Sequence, residues 1–235
     1  MQPRHAPAGL LFDKDGTLFD FQRSWGGWAR DVISDLAGGD PGLAARLADA
    51  LGYDAGNLVF LPGSLSIAGT VREQAEAIAP HLPGRGVAAL EARLVAAAGR
   101  APMIPAVPLR PLLAAWRAQG LSLGIATNDA EVAARQQLEA TEIIDVFHFI
   151  AGYDSGFGAK PGPGMCLAFA EARGLDPSDC VMVGDSRHDL EAGRAAGMRV
   201  VGVLTGPAGV DDLAPLADAV LPDIGALPAW LAAAG

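Results

Sequence analysis

Short apolar runs alternate with amphipathic stretches through the second half of this chain. The runs at 121–126, 147–152, 181–184 and 199–204 predict strands, and the stretches at 111–119, 131–140, 163–173 and 189–196 predict helices between them. Strands built of continuous apolar residues are buried on both faces, so the alternation predicts a parallel sheet with helices on each side. An earlier apolar run, 9–12, ends at Asp13 and belongs to the same sheet by composition. After it comes an Ala-rich region with helical periodicity over 24–36, 41–51, 70–82 and 87–98. Thr70 and Glu73 have capping-box spacing, whereas 53–67 is extended or looped. Pro102, Pro105, Pro108 and Pro111 then punctuate the chain as a linker would. The predicted fold class is α/β: a Rossmann-like parallel sheet core with helices on both faces (1–18 and 104–235), interrupted by a helical insertion (19–103).

Composition narrows the possible partners. At 235 residues and 51% hydrophobic content the chain can bury one large core or two smaller ones. Its 30 glycines and 17 prolines follow no period, which argues against collagen-like or low-complexity structure. A net charge of −10 with no basic cluster argues against nucleic acid. The first seven residues lack the apolar core of a secretory signal. The uncharged run 55–71 is broken by Gly, Asn and Pro, so no membrane association is expected. Cys166 and Cys180 fit no ligand spacing and read as reduced, buried thiols of a cytoplasmic protein. His5, His81 and His148 show no ligand spacing either, and His188 is assigned no role. Oligomeric state leaves no trace in the pattern.

Candidate chemistry gathers where predicted strands end. The chain has two lysines against fifteen arginines, and both lysines lie in such places. A lysine ammonium is a compact point charge on a flexible stem, suited to holding a reacting anion. Lys160 precedes Pro161, and by itself could equally be a solvated loop lysine. Lys14 stands between Asp13 and Asp15. Strand alternation places the two acids on one side and points Lys14 away from them, as a packing or surface residue. Gly16 lets the backbone turn at once. Thr127 and Asn128 follow the 121–126 run, where a strand end or helix cap would serve as well. Asp185 and Asp189 follow the 181–184 run. Ligands of parallel α/β sheets collect at these carboxyl ends, and the co-occurrence of all four segments favours one site.

Together, Asp13-Lys14-Asp15-Gly16-Thr17, Thr127-Asn128, Lys160-Pro161 and Gly184-Asp185-Ser186-Arg187-His188-Asp189 resemble the four motifs of the haloacid dehalogenase superfamily, in its phosphoglycolate phosphatase-like branch. The insertion resembles the helical cap of the first subclass, in length and helicity only. The resemblance implies an Mg²⁺-dependent phosphatase acting on a small phosphorylated metabolite, phosphoglycolate-like or a sugar phosphate. Asp13 would be the nucleophile that forms an aspartyl-phosphate, and Asp15 the general acid and base. Mg²⁺ would be held by Asp13, the backbone carbonyl of Asp15 and Asp185. Thr127, Asn128 and Lys160 would bind the phosphoryl group, with Asp189 supporting Lys160 or metal-bound water.

The same resemblance disfavours sister chemistries. Dehalogenases of the superfamily lack the second acid, present here as Asp15, and phosphonatases need a cap lysine, absent here. A β-phosphoglucomutase-like phosphomutase and a non-enzymatic phosphoacceptor or binding module stay open. Phe21, Arg23, Trp25 and Arg72 are the cap residues that could touch substrate, Arg23 and Arg72 by gripping a carboxylate. A solvated face for the arginines, and core packing for Trp25 with its neighbour Trp28, are the competing readings.

Overall fold

In a computed structural model, which describes residues 6–233, the chain opens with β1 (Gly9–Phe12). An insertion of five helices follows: α1 (Phe21–Ala37), α2 (Pro41–Leu51), α3 (Leu65–Ala68), α4 (Val71–Ile78) and α5 (Val87–Ala98). A small antiparallel hairpin, β2 (Tyr53–Asp54) with β3 (Val59–Phe60), occupies part of the stretch that sequence left undefined. The chain then alternates through α6 (Leu109–Ala118), β4 (Ser122–Ala126), α7 (Glu131–Ala140), β5 (Phe149–Ala151), α8 (Gly164–Arg173), β6 (Cys180–Gly184), α9 (Arg187–Ala195) and β7 (Arg199–Val203). It closes with α10 (Val210–Leu213), β8 (Ala219–Leu221) and α11 (Leu227–Ala233), elements too short or too mixed to register in the hydrophobic pattern. No helix among the described residues is long and apolar enough to cross a membrane.

The six-stranded sheet runs β5-β4-β1-β6-β7-β8, parallel throughout. β1 is central, paired to β4 on one side and β6 on the other. Strand order reverses beside it, which opens a crevice at the carboxyl ends of these strands. Alternation along β1 divides its side chains between the two faces. Leu10 and Phe12 join the core shared with α6 and the insertion, and Phe12 stacks on Trp116 with centroids 5.6 Å apart. Leu11 joins Met165, Phe169 and Met182 on the opposite face. Fully burying both sides explains the unbroken apolar run.

Local signals set the helix boundaries. Asp20 caps α1 by accepting from the Arg23 amide, and Gly38 ends it in a left-handed conformation. Thr70 and Glu73 form the expected capping box, so α4 begins after Thr70, and a 3-10 turn through Pro80 ends it. Inside the insertion α1 packs on α2 and α4 on α5. Phe21, Trp25, Ala29, Ile33 and Leu36, at helical spacing, form the buried stripe of α1.

Candidate active site

The first acidic pair lies just past β1. Asp13 donates its amide to the Val183 carbonyl at 2.8 Å, which ties it to β6. There the extended conformation ends, because the chain folds back through Gly16 (φ 79°), whose amide reaches the Phe19 carbonyl at 2.7 Å. Strand alternation therefore no longer governs Lys14, and the expectation that it points away from the acids is corrected. Lys14 is fully buried. It donates to Asp15, pairs with Asp129 at 3.0 Å, and lies 5.4 Å from the centre of the Trp25 ring. Trp25 Nε1 donates to the other oxygen of Asp15 at 2.8 Å. Both oxygens of the Asp15 carboxylate are thus held, one by an ammonium and one by an indole.

A second ammonium organises Asp13. Lys160 Nζ contacts Asp13 Oδ1 at 2.5 Å, Asp189 Oδ1 at 2.6 Å and the Ala126 carbonyl at 2.7 Å. Two of these contacts, to Asp13 and Ala126, are hydrogen bonds, and Asp189 adds an ion pair. Asp189 is fixed in turn by a capping box at the start of α9. Its Oδ2 accepts from the Ser186 amide at 3.0 Å and the Ser186 hydroxyl at 2.6 Å. Gly184 makes room for it, since a Cβ there would fall 2.2 Å from the Asp189 Cβ.

Asp185 takes its place by close approach. The Thr17 hydroxyl donates to Asp185 Oδ1 at 3.3 Å. A Cβ on Gly16 would sit 2.3 Å from Asp185 Oδ2, and one on Gly206 only 1.6 Å. Gly206, beyond β7, is a site residue that sequence reasoning missed, since nothing about an isolated glycine reveals such a contact.

The strand after the insertion supplies Thr127, Asn128 and Asp129. Thr127 is buried, and its Oγ1 accepts from the Asp129 amide at 3.1 Å. The Asn128 side chain is a clamp. It donates to the carbonyls of Ala68 (2.8 Å) and Lys160 (3.0 Å) and accepts from the Lys160 amide at 2.9 Å. It thereby joins the Lys160 loop to α3 of the insertion.

Asp13, Asp15, Thr127, Asn128, Lys160, Asp185 and Asp189 all line one cavity, together with Phe21 and Trp25. Arg23 and Arg72 do not. Arg23 is exposed, and Arg72 is exposed and paired with Glu76 and Glu91, each at 3.2 Å. Asp129, which sequence passed over although it directly follows Asn128, belongs to the same wall.

Burial dominates the electrostatics. It pushes Asp13 up to about 7 against the opposing pull of Lys160, with Asp189 and Asp15 adding to the rise. Asp15 is pushed up to about 6, again by burial and against Lys14. Asp185 is raised well above the ordinary range by burial and by Asp13 and Asp189. The two lysines are also buried, yet their acids overcome that and raise both. Carboxylates so crowded favour a further cation. Asp13, Asp185 and Asp189 each offer an oxygen within 4.8 Å of the others, and all three are buried. Hard oxygen donors of this kind suit a divalent ion such as Mg²⁺ or Ca²⁺. Because both Asp189 oxygens are engaged, Oδ1 with Lys160 and Oδ2 with Ser186, Asp13 and Asp185 are the metal's most available partners, so the residues fit a metal.

Comparison with known proteins places the chain in a family. The family profile described as haloacid dehalogenase-like hydrolase matches residues 7–197, from before β1 to the turn after α9. The chain belongs to the haloacid dehalogenase-like hydrolase family. Among curated relatives of this hydrolase, the phosphoglycolate phosphatase of Neisseria meningitidis is 41% identical over 120 residues, 49% of this chain and 50% of that protein. That of Escherichia coli K12 is 39% identical over 94 residues, 40% of this chain and 37% of the relative. The chain thus spans half or less of the length of these relatives. A HAD family hydrolase from Deinococcus radiodurans R1, solved with bound phosphate and sodium, superposes with a TM-score of 0.67 at 25% identity, covering 98% of each chain. CbbY from Rhodobacter sphaeroides, in complex with phosphate, has a TM-score of 0.69 at 18% identity over 94% of this chain and 96% of that one.

Proposed function

We propose that this hydrolase is a Mg²⁺-dependent phosphomonoesterase acting on a small metabolite through an aspartyl-phosphate, with residues 19–103 as a cap over the site. The observation that carries the reading is the division of labour between two acids in one cavity. Asp13 is gripped by Lys160, while Asp15 is held apart from it by Lys14 and Trp25. The names of the curated relatives and the phosphate bound by the Deinococcus protein support the same chemistry.

In the first step an Asp13 oxygen attacks phosphorus and the bond to the leaving oxygen breaks. Asp15 gives its proton to that oxygen, releasing an alcohol. In the second step Asp15 takes a proton from water, which attacks phosphorus and returns Asp13 with inorganic phosphate. A carboxyl raised to about 6 by burial exchanges protons readily near neutral pH, as an acid that becomes a base must. Lys160 keeps the nucleophile oriented and neutralises charge, and Thr127 with the Asn128 backbone amide binds phosphoryl oxygens. Mg²⁺, held by Asp13, Asp185 and the Asp15 carbonyl, would withdraw charge from the phosphoryl oxygens when bound. The free, buried thiols of Cys166 and Cys180 support a cytoplasmic setting.

The test is phosphate release from a broad panel of monoesters with Mg²⁺, combined with acid quenching of ³²P-labelled substrate. Turnover abolished by chelation, with label on the Asp13 peptide, is expected. No turnover by folded, metal-loaded protein would overturn the reading. Isomerised product without phosphate release would make it a mutase, and a long-lived phosphoprotein without turnover a phosphoacceptor.

Stability supplies an independent check. The folded forms of Asp13 and Asp15 hold protons to about 7 and about 6, above their unfolded value. Their contribution to stability is therefore full below that unfolded value and is lost as pH rises through 6 and 7. Thermal melts without divalent ions should show lower stability at pH 8 than at pH 5. Mg²⁺ should raise the melting temperature more at pH 8, by about 5 °C. An equal Mg²⁺ effect at both pH values would count against Asp13 as its ligand.

A further inference from the structure

We infer that the alcohol part of the substrate is uncharged and mostly apolar, bearing a neutral polar group, and is not the carboxylate of a compact acid. This inference rests on the phosphatase reading and names the substrate class of the same cavity. The large side chains that the insertion contributes to the wall are apolar: Phe21, Trp25, Trp28, Phe60, Ile67 and Val71, with Gln74 the polar exception. Trp25 and Trp28 meet edge to face with centroids 4.9 Å apart, and Phe21 meets Phe60 at 5.6 Å. Such a surface rewards an aromatic or aliphatic leaving group by removing its apolar area from water.

Charge argues in the same direction. Among the described residues, the basic groups lining this cavity are Lys160 and His188, with Lys14 buried beside Asp15. Lys14 is engaged by Asp15 and Asp129, Lys160 by Asp13 and Asp189, and His188 Nδ1 faces the Ala68 carbonyl at 3.3 Å. Arg23 and Arg72, the candidate carboxylate grips, lie outside it, and Arg72 already has two glutamates. A second anionic group on the substrate would lose its water beside five aspartates with no partner of opposite charge.

Two neutral handles remain. Gln74 of α4 lines the cavity at 8% exposure. The Trp28 indole N–H is buried without an acceptor and lines the same space. Buried polar groups of this kind ordinarily find partners. A hydroxyl, amide or carbonyl oxygen on the leaving group would satisfy them.

The test is calorimetric binding of three non-hydrolysable phosphonates to the Mg²⁺-loaded full chain: benzylphosphonate, phosphonoacetamide and phosphonoacetate. The last two match in size and differ in charge. Benzylphosphonate and phosphonoacetamide should each bind roughly tenfold or more tighter than phosphonoacetate. Gln74→Arg, which places a cation against the wall, should raise phosphonoacetate affinity by about tenfold and narrow that gap. Phosphonoacetate binding as tightly as the other two, or none of the three binding, would overturn the inference. Because binding needs no turnover, the two readings fail separately. The expected preference in a protein that hydrolyses nothing sinks only the phosphatase assignment, and turnover with a carboxylate preference sinks only this one.

Discussion

Asp13→Asn is expected to lower kcat by about 10⁴-fold or more while leaving the protein folded. Asparagine keeps the shape of the side chain but offers no carboxylate to form the phosphoryl-enzyme. Lys160 keeps Asp189 and the Ala126 carbonyl as partners, so the loop that carries it stays anchored. Ionised Asp13 is disfavoured by its burial, and a neutral amide avoids that cost. The melting temperature of the variant without divalent ions should therefore match or exceed that of the wild type at pH 8. Steady-state kinetics and thermal melts check the two halves, and activity within a hundredfold of wild type would remove Asp13 as nucleophile.

The second large effect concerns Lys160. Lys160→Met should reduce kcat/KM by about 10³-fold and, unlike the Asp13 change, lower stability by about 3–5 kcal/mol at pH 8. Methionine fills much of the same volume but removes a buried ammonium that two carboxylates and a carbonyl share. Asp13, Asp185 and Asp189 would then crowd together with no protein cation between them. Their proton affinities rise further, so the loss should shrink toward pH 5, where protonation relieves it. Lys160→Arg should not restore activity, because a planar guanidinium cannot place donors on three acceptors arranged around a point charge. Melts at pH 5 and pH 8 decide the matter, since a pH-independent loss would mean that packing, and not charge, is the residue's contribution.

The two lysines show how far local pattern carries. Lys160 lies beside Asp13 and Asp189, and Asp185 and Asp189 follow the strand that ends at Gly184. Alternation misdirects Lys14, because the strand ends at Phe12 and the chain then turns toward Gly16. Trp25 shows the opposite case. Its helical spacing gave core packing or a pocket wall, and it has both, with 6% exposure and an indole proton on Asp15. The Arg72 pairs with Glu76 and Glu91 could be anticipated only for the first, four residues along one helix.

The alternation of strands and helices over 111–204, the first strand's apolar run, and the acids at strand ends were determined by the sequence alone. They depend on periodicities of two to four residues and on caps and turns, which are local. Pairings between residues far apart in the chain were decided only by the tertiary structure. Lys160 meets Asp13 across 147 positions and the Thr17 hydroxyl meets Asp185 across 168, distances over which no spacing rule operates. Gly206 against Asp185, Gln74 and Trp28 facing the cavity, and Arg72 turned to the surface are likewise matters of how separate elements dock. A single chain thus specifies which elements form through short-range sterics and solvation, while the site is assembled when the sheet brings four strand ends together and residues of the insertion line the same cavity.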